Sequence, residues 1–174
     1  MYNRRRGTAI VETNEGILVV VNSWDINSIG EEQDLFTLPG GKANRNESRR
    51  KAAIRELQEE TGSKALESTY LFSYRSPSHR NHKRHFRDCH KVFLIKAEGN
   101  PKPQKEVRRI AFFKKGSNLK LSYSTREIIE MFLAMKGTGF TPLKCSNCGG
   151  NLQPFDLKCP YCGSYNQKIS KQEG

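Results

Sequence analysis

The stretch that most constrains this chain is LPGGKANRNESRRKAAIRELQEETG, residues 38–62. Pro39, Gly40 and Gly41 precede a segment that reads as a helix, with Gly62 placed as its C-cap. That helix crowds Glu56, Glu59 and Glu60 together, although the whole chain carries a formal net charge of +12. At about 100° per residue, Glu59 and Glu60 fall on either side of Glu56, so the three share one face. Ala53, Ile54 and Leu57 take the neighbouring face, suited to packing on a sheet. A solvated Glu–Arg helix gains a few tenths of a kcal/mol from its i,i+4 pairs, but Glu56 and Glu60 form a like-charge i,i+4 pair. A hard divalent cation relieves such repulsion, and Mg²⁺ characteristically takes a few carboxylates together with substrate phosphate oxygens.

Around this helix the pattern alternates strands and turns. Residues 6–13 and 17–24 read as strands about a turn at Asn14, Glu15 and Gly16, and residues 25–35 as a polar loop. The sequence FTLPGG is a short strand broken by its Pro and glycines. Residues 68–76 and 90–99 read as strands bracketing a long charged loop, PSHRNHKRHFRDC. Residues 106–115 form another strand, and 122–137 a second helix with Ser124 and Glu127 as a capping box.

The spacing Gly41-x5-Glu47-x7-Arg55-Glu56-Leu57-x-Glu59-Glu60-x-Gly62 resembles the signature box of the Nudix hydrolases. The one departure is Ser63, where the family has an aliphatic residue, and it touches no catalytic position. The resemblance spans residues 5–137 and implies an α/β/α sandwich around a mixed β-sheet. It implies that Glu56, Glu59 and Glu60 hold Mg²⁺ or Mn²⁺, joined by the carbonyl of Gly40. Arg55 would orient these carboxylates, with Glu47 as its ion-pair partner. The implied reaction is hydrolysis of a diphosphate linkage in a nucleoside diphosphate derivative, with Glu56, Glu98 or Glu106 as general base. A late family strand often reads E-x-x-E-x-x-W, but Arg109 and Phe112 stand at the second and third of these positions.

Basic residues are concentrated in three places: Arg4, Arg5 and Arg6 ahead of the first strand, the 75–91 segment, and residues 102–120. Such patches attract polyanions. Lys42, Arg6, Arg75, Arg80, Lys83 and Arg84 are therefore the candidate substrate contacts, since guanidinium groups match phosphate oxygens bidentately. His79, His82, His85 and His90 have irregular spacing that specifies no metal geometry, and Cys89 reads as a half-buried filler. The substrate classes open at this point are a nucleotide sugar, a non-canonical nucleoside triphosphate, a dinucleoside polyphosphate or a capped RNA end. A diphosphoinositol polyphosphate is an alternative, although that branch has a third Gly where Lys42 stands. A non-catalytic nucleotide- or RNA-sensing protein is another.

Cys145-x2-Cys148-x10-Cys159-x2-Cys162 is a four-thiolate zinc arrangement, with Gly following the second Cys of each pair. It resembles a short zinc ribbon, too poor in apolar residues to fold without metal. A structural or protein-contact role is favoured over nucleic-acid binding by its modest charge. The expected organisation is a hydrolase domain over 1–137, a linker over 138–143, the ribbon over 144–166 and a disordered tail over 167–174. No apolar run approaches the ~20 residues of a membrane helix, and no signal-peptide core follows the basic N-terminus, so a cytoplasmic protein is expected.

Overall fold

Alternation of apolar residues along the strands determines how this chain layers itself. A computed structural model describes residues 1–22, 34–81, 83–137, 143–145, 147–152, 158–159 and 161–164. Its elements are β1 (Tyr2–Ile10), β2 (Glu12–Thr13), β3 (Gly16–Asn22), β4 (Gly40–Lys42), α1 (Arg49–Thr61), β5 (Lys64–Arg75), β6 (His79–Asn81), β7 (Arg84–Glu98), β8 (Val107–Phe113), α2 (Tyr123–Gly137), β9 (Leu143–Lys144) and β10 (Asn151–Leu152).

One sheet runs β4-β1-β7-β5, with β6 beside β7; a second runs β2-β3-β8. The first is mixed, because β1 pairs in parallel with β7 and antiparallel with β4. The central stretches of β1, β3, β5 and β7 are buried on both faces. Ala9, Leu18, Tyr70, Phe93 and Ile95 pack on one side with Ala53 and Leu57 of α1. Ile10, Val19, Val21, Phe72 and Val92 pack on the other with Ile128, Ile129 and Phe132 of α2. This period-two division is the expected α/β/α sandwich. A register shift between Tyr70 and Phe72 puts adjacent Leu71 and Phe72 into the same cluster. Gly7 brings β1 against α1: a Cβ there would overlap the Arg49 carbonyl oxygen and lie 2.6 Å from Ala53 N.

Four expectations change. Arg4, Arg5 and Arg6 lie inside β1, whose partner β7 extends to Arg84. The charged loop is largely a hairpin, with His79 opposite Phe86 and Arg80 opposite His85, because backbone pairing tolerates exposed charged side chains at a sheet edge. The cap of α2 is Ser122, whose hydroxyl accepts the Thr125 N–H at 3.3 Å, while Ser124 turns toward Tyr74. Leu143, expected in the linker, already belongs to β9. Residues 138–142 of that linker, the 167–174 tail and His82 lie outside the described residues. Among the described residues no helix is long and apolar enough to cross a membrane.

Candidate active site

α1 starts at Ser48, whose hydroxyl accepts the Lys51 N–H at 3.1 Å, and stops at Gly62 in the left-handed conformation (φ 73°). Between these caps the box residues come together. Arg55 meets Glu47 bidentately, Nε to Oε2 at 2.9 Å and Nη2 to Oε1 at 3.0 Å. The Asn44 N–H also donates to Glu47 Oε1 at 3.0 Å, across a turn in which Asn46 takes φ 64°. The Arg55 hydrogen bonds, helped by Asn44, hold the Glu47 carboxyl down to about 2. Arg55 in turn reaches Glu56 Oε1 at 2.8 Å, Glu59 Oε2 at 3.3 Å and the Lys42 carbonyl at 3.2 Å. One guanidinium, itself held by Glu47, thus positions two of the three carboxylates.

The third is Glu60, a residue only 4% exposed, whose Oε1 accepts the Gly40 N–H at 3.2 Å. Burial pushes its carboxyl up to about 8, and the nearby Glu56 charge adds to the effect against the Gly40 hydrogen bond. Gly41 leaves room for Glu56, since a Cβ would sit 2.5 Å from Glu56 Cδ. A buried carboxyl beside a second one, hydrogen-bonded to backbone and with only the Arg6 charge acting to favour its ionised form, is a donor set suited to a hard divalent ion. Glu60 also hydrogen-bonds the Glu56 side chain, while Arg55 holds Glu56 and Glu59. Lys105 Nζ also approaches Glu59 Oε1, at 3.5 Å.

Beside Gly40 opens a cleft of 420 Å³ between β1, β7 and α2. Arg4, Arg6, Asp88 and His90 line it, with Phe86, His79 and Tyr123 supplying rings. Arg4 is bidentate to Asp88 (2.6 and 2.9 Å) and lies 4.0 Å from the centre of the Phe86 ring, while His79 stacks on that ring. His90 is buried, with Nδ1 2.8 Å from Thr8 Oγ1 and Nε2 without a partner. Burial, with the Arg6 charge second, lowers His90 to about 4, so it is neutral at pH 7.

Of the expected substrate contacts, Arg6 lines this cleft. Lys42 stands opposite Arg6 on β4 with Nζ 5.6 Å from the Tyr2 ring centre. Arg75, Arg80, Lys83 and Arg84 belong to the β5–β6–β7 hairpin and are not among the residues that line the cleft. Sequence reasoning missed Phe86, Asp88 and Tyr123, and counted Arg4 only within a basic patch. The alternation Arg4, Arg6, Thr8 in register with Asp88, His90, Val92 was the available signal. Glu106 sits next to Lys105 on the loop that reaches Glu59, whereas Glu98 pairs opposite Lys64, past the end of α1. Arg109 pairs with Asp34 at 2.9 Å, and Arg108 contacts the same carboxylate.

The four cysteines form two matching knuckles. Cys145 N–H bonds Gly150 O and Cys159 N–H bonds Ser164 O, each at 2.7 Å. Gly149 and Gly163 take φ 72° and 76°, and the Asn147 and Tyr161 amides point at Cys145 and Cys159 sulfur at 3.4 Å. All four sulfurs lie within 4.8 Å of one another, with Cys145–Cys162 at 3.8 Å and Cys148–Cys159 at 3.5 Å. A tetrahedron with Zn–S of about 2.3 Å has edges of about 3.8 Å, so the set fits zinc. Hydrogen bonds from Ser164 and Asn147 push the Cys162 thiol down to about 5. Among the described residues this is the one group of His, Cys, Asp or Glu gathered tightly enough to hold an ion.

A sandwich with an Arg-held set of helical carboxylates beside a 420 Å³ cleft fits a pyrophosphohydrolase. The NUDIX domain family model matches residues 2–131, and the chain belongs to that family. A structure described as a nudix hydrolase family member from Chromobacterium violaceum is 36% identical, with a TM-score of 0.62, over 76% of this chain and 78% of that one. The MutT NUDIX hydrolase from Burkholderia pseudomallei is 22% identical, with a TM-score of 0.60, over 75% and 98% of the two chains. The MutT protein from Methanosarcina mazei is 18% identical, with a TM-score of 0.62, over 78% and 96%. No curated protein sequence matches. Both knuckles, from Cys145 on, lie beyond the family match.

Proposed function

We propose that the chain hydrolyses a diphosphate linkage in a nucleotide-derived substrate, using Mg²⁺ or Mn²⁺ held by Glu56, Glu59, Glu60 and the Gly40 carbonyl. The observation that carries this reading is the buried Glu60 beside Glu56 and next to the cleft residue Gly40, a carboxyl that burial keeps protonated and that a divalent cation would turn into a charged ligand. When bound, the metal neutralises phosphate charge and lowers the pKa of a water. The chain's own residues do the rest. Arg55 fixes Glu56, which receives the proton of the attacking water as oxygen joins phosphorus and the bridging P–O bond breaks toward the leaving phosphate. Arg6 sits where phosphate oxygens would enter, and His79 and Tyr123 offer ring faces to a base and ribose.

The cleft lining favours a nucleotide over an inositol polyphosphate. Arg4 is already neutralised by Asp88, and aromatic and aliphatic groups form much of the wall. A ring bearing phosphates on nearly every carbon calls for free cations all round. The four cysteines take one Zn²⁺ and serve as a structural clip, supported by the packing of Tyr161 against Tyr70 at 5.6 Å. A Mg²⁺-dependent hydrolysis panel of nucleotide sugars, non-canonical triphosphates, dinucleoside polyphosphates and 5′-capped or triphosphate RNA tests the reading. Glu59→Gln lowers kcat at least 100-fold with the fold retained; full activity in that variant sinks the metal assignment.

A further inference from the structure

On the opposite face of β1 from the catalytic cleft, α1 begins beside a second, smaller cavity of 170 Å³. Strand alternation sends Arg4 and Arg6 into the cleft and Arg5 the other way. Arg5 there meets Arg49, Arg50 and Lys91, cations contributed by β1, α1 and β7. The described wall of the cavity includes no carboxylate. Arg5 and Arg49 donate to the carbonyls of Glu47 and Cys89, at 3.1 and 3.4 Å, and Arg50 to the carbonyl and hydroxyl of Ser68. Burial, with the charge of Arg5 behind it, disfavours the charged form of Arg49.

The remaining wall is aromatic and comes partly from the cysteine knuckle. Arg50 Cζ lies 4.4 Å from the centre of the Tyr161 ring and 5.3 Å from that of Phe93, so its guanidinium is stacked and pre-oriented. Tyr161 Oη is buried close to the Arg50 side chain, whose charge acts on it. Like charges crowded around a space, with a buried hydroxyl beside it, mirror what the glutamates do on the other side of the sheet.

We infer that this cavity binds a phosphate group, held by Arg5, Arg49, Arg50 and Lys91 and walled by Tyr161 of the zinc knuckle. Its volume is below the ~300 Å³ at which pockets for whole drug-sized ligands begin, so it takes a single phosphate rather than an entire nucleotide. At 1.5 Å per residue, Arg50 and Glu60 stand about 15 Å apart along α1, so the group bound here is not the one being hydrolysed. The source is either free inorganic phosphate or one phosphate of a single-stranded nucleic acid reaching past the cleft. The assignment does not depend on the hydrolytic reading, because neither the site nor its test uses turnover.

The test is a titration of the full-length, zinc-loaded protein with inorganic phosphate in Mg²⁺-free buffer, following the arginine Nε–H resonances by NMR. Saturable shifts are expected at Arg49 and Arg50. R50Q and R5Q each raise the Kd at least tenfold, while R50K, which keeps the charge but loses the planar stacked fork, raises it less than R50Q does. R5Q removes a cation that does not stack on Tyr161, so loss in both variants is not a docking artefact. Hydrolysis of a small nucleotide stays within twofold in all three. A short RNA with a 5′-hydroxyl that displaces phosphate from the wild type and binds R50Q at least tenfold more weakly identifies nucleic acid as the source. Binding of phosphate without displacement by RNA identifies the free anion. Absence of saturable shifts at Arg49 and Arg50, or unchanged affinity in both R50Q and R5Q, overturns the site.

Discussion

Replacing Glu60 by Gln separates stability from catalysis in opposite directions. Glu60 titrates near 4.5 in the unfolded chain but near 8 when folded, because burial opposes its charge. Between these values the unfolded chain has lost the proton and the folded chain keeps it, so stability falls as pH rises across that window. Each pH unit of the window costs about 1.4 kcal/mol, which puts the penalty at pH 7 on the order of 3 kcal/mol. Gln is neutral, nearly isosteric, and keeps a carbonyl oxygen for the Gly40 N–H. E60Q is therefore expected to melt about 6–12 °C higher than the wild type at pH 7 without Mg²⁺, at about 2–4 °C per kcal/mol for a chain of this size. Its melting temperature should also lose the downward slope between pH 5 and 8. Added Mg²⁺ should raise the wild-type value and leave E60Q unmoved, while Mg²⁺-dependent phosphate release in E60Q falls at least 100-fold. The assay is thermal unfolding of dialysed, zinc-retaining protein across pH, with and without Mg²⁺. Equal melting temperatures and parallel pH profiles for the two proteins would refute the buried-charge argument.

Gly41→Ala places a methyl against Glu56 Cδ, a flexible target, so the fold survives with a loss within about 1–3 kcal/mol while kcat drops by an order of magnitude or more; an unchanged kcat in steady-state assays would show that Glu56 is not confined there. Gly7→Ala drives its methyl into the Arg49 carbonyl, where backbone on both sides cannot yield, and is expected to lower the denaturation midpoint more than Gly41→Ala does. Metal analysis should find one zinc per chain, lost when Cys145 and Cys148 become Ser, together with a lower melting temperature as Tyr161 leaves Tyr70 and Arg50. A metal-free protein with Tyr161 still docked would contradict the structural role of the knuckles.

The parts of the site that were legible are those fixed along one segment. Glu47, Arg55, Glu56, Glu59 and Glu60 lie within a single turn-and-helix unit, so spacing alone aligns them. The knuckles were legible for the same reason, each being set by a C-x-x-C turn followed by Gly. The cleft was not, because its wall is assembled from β1, β7, α2 and the segment before β4, which meet only through strand register. The hairpin at His79–Asn81 was hidden by composition. Its charged residues carry no apolar period, and what holds it is backbone pairing plus the stack of His79 on Phe86 and the Arg4 guanidinium over the same ring. Ser122 was passed over for Ser124 because both precede the apolar period, and only the hydroxyl direction tells them apart.

The charge pattern of α1 ties the two faces together. A helix is stabilised by acids in its first turn and bases in its last, each worth about 0.3–1 kcal/mol. α1 has neither: its first turn carries Arg49, Arg50 and Lys51, and its last holds Glu59 and Glu60. Both ends oppose the helix dipole. The helix forms nonetheless because Ser48 and Gly62 cap it and because Ala52, Ala53 and Leu57 are fully buried. Arg55, near the middle, offsets only the glutamates within its reach, and Glu60 finds no cation among its hydrogen-bond partners. A helix inverted in this way gains from ligands of opposite sign at its two ends, a divalent cation at the glutamates and a phosphate at the arginines. The two should then bind without competing. Mg²⁺ and inorganic phosphate are expected to raise the melting temperature additively, with R50Q abolishing only the phosphate increment. A phosphate increment that vanishes in E60Q but persists in R50Q would place the anion at the catalytic end and refute the two-ended reading.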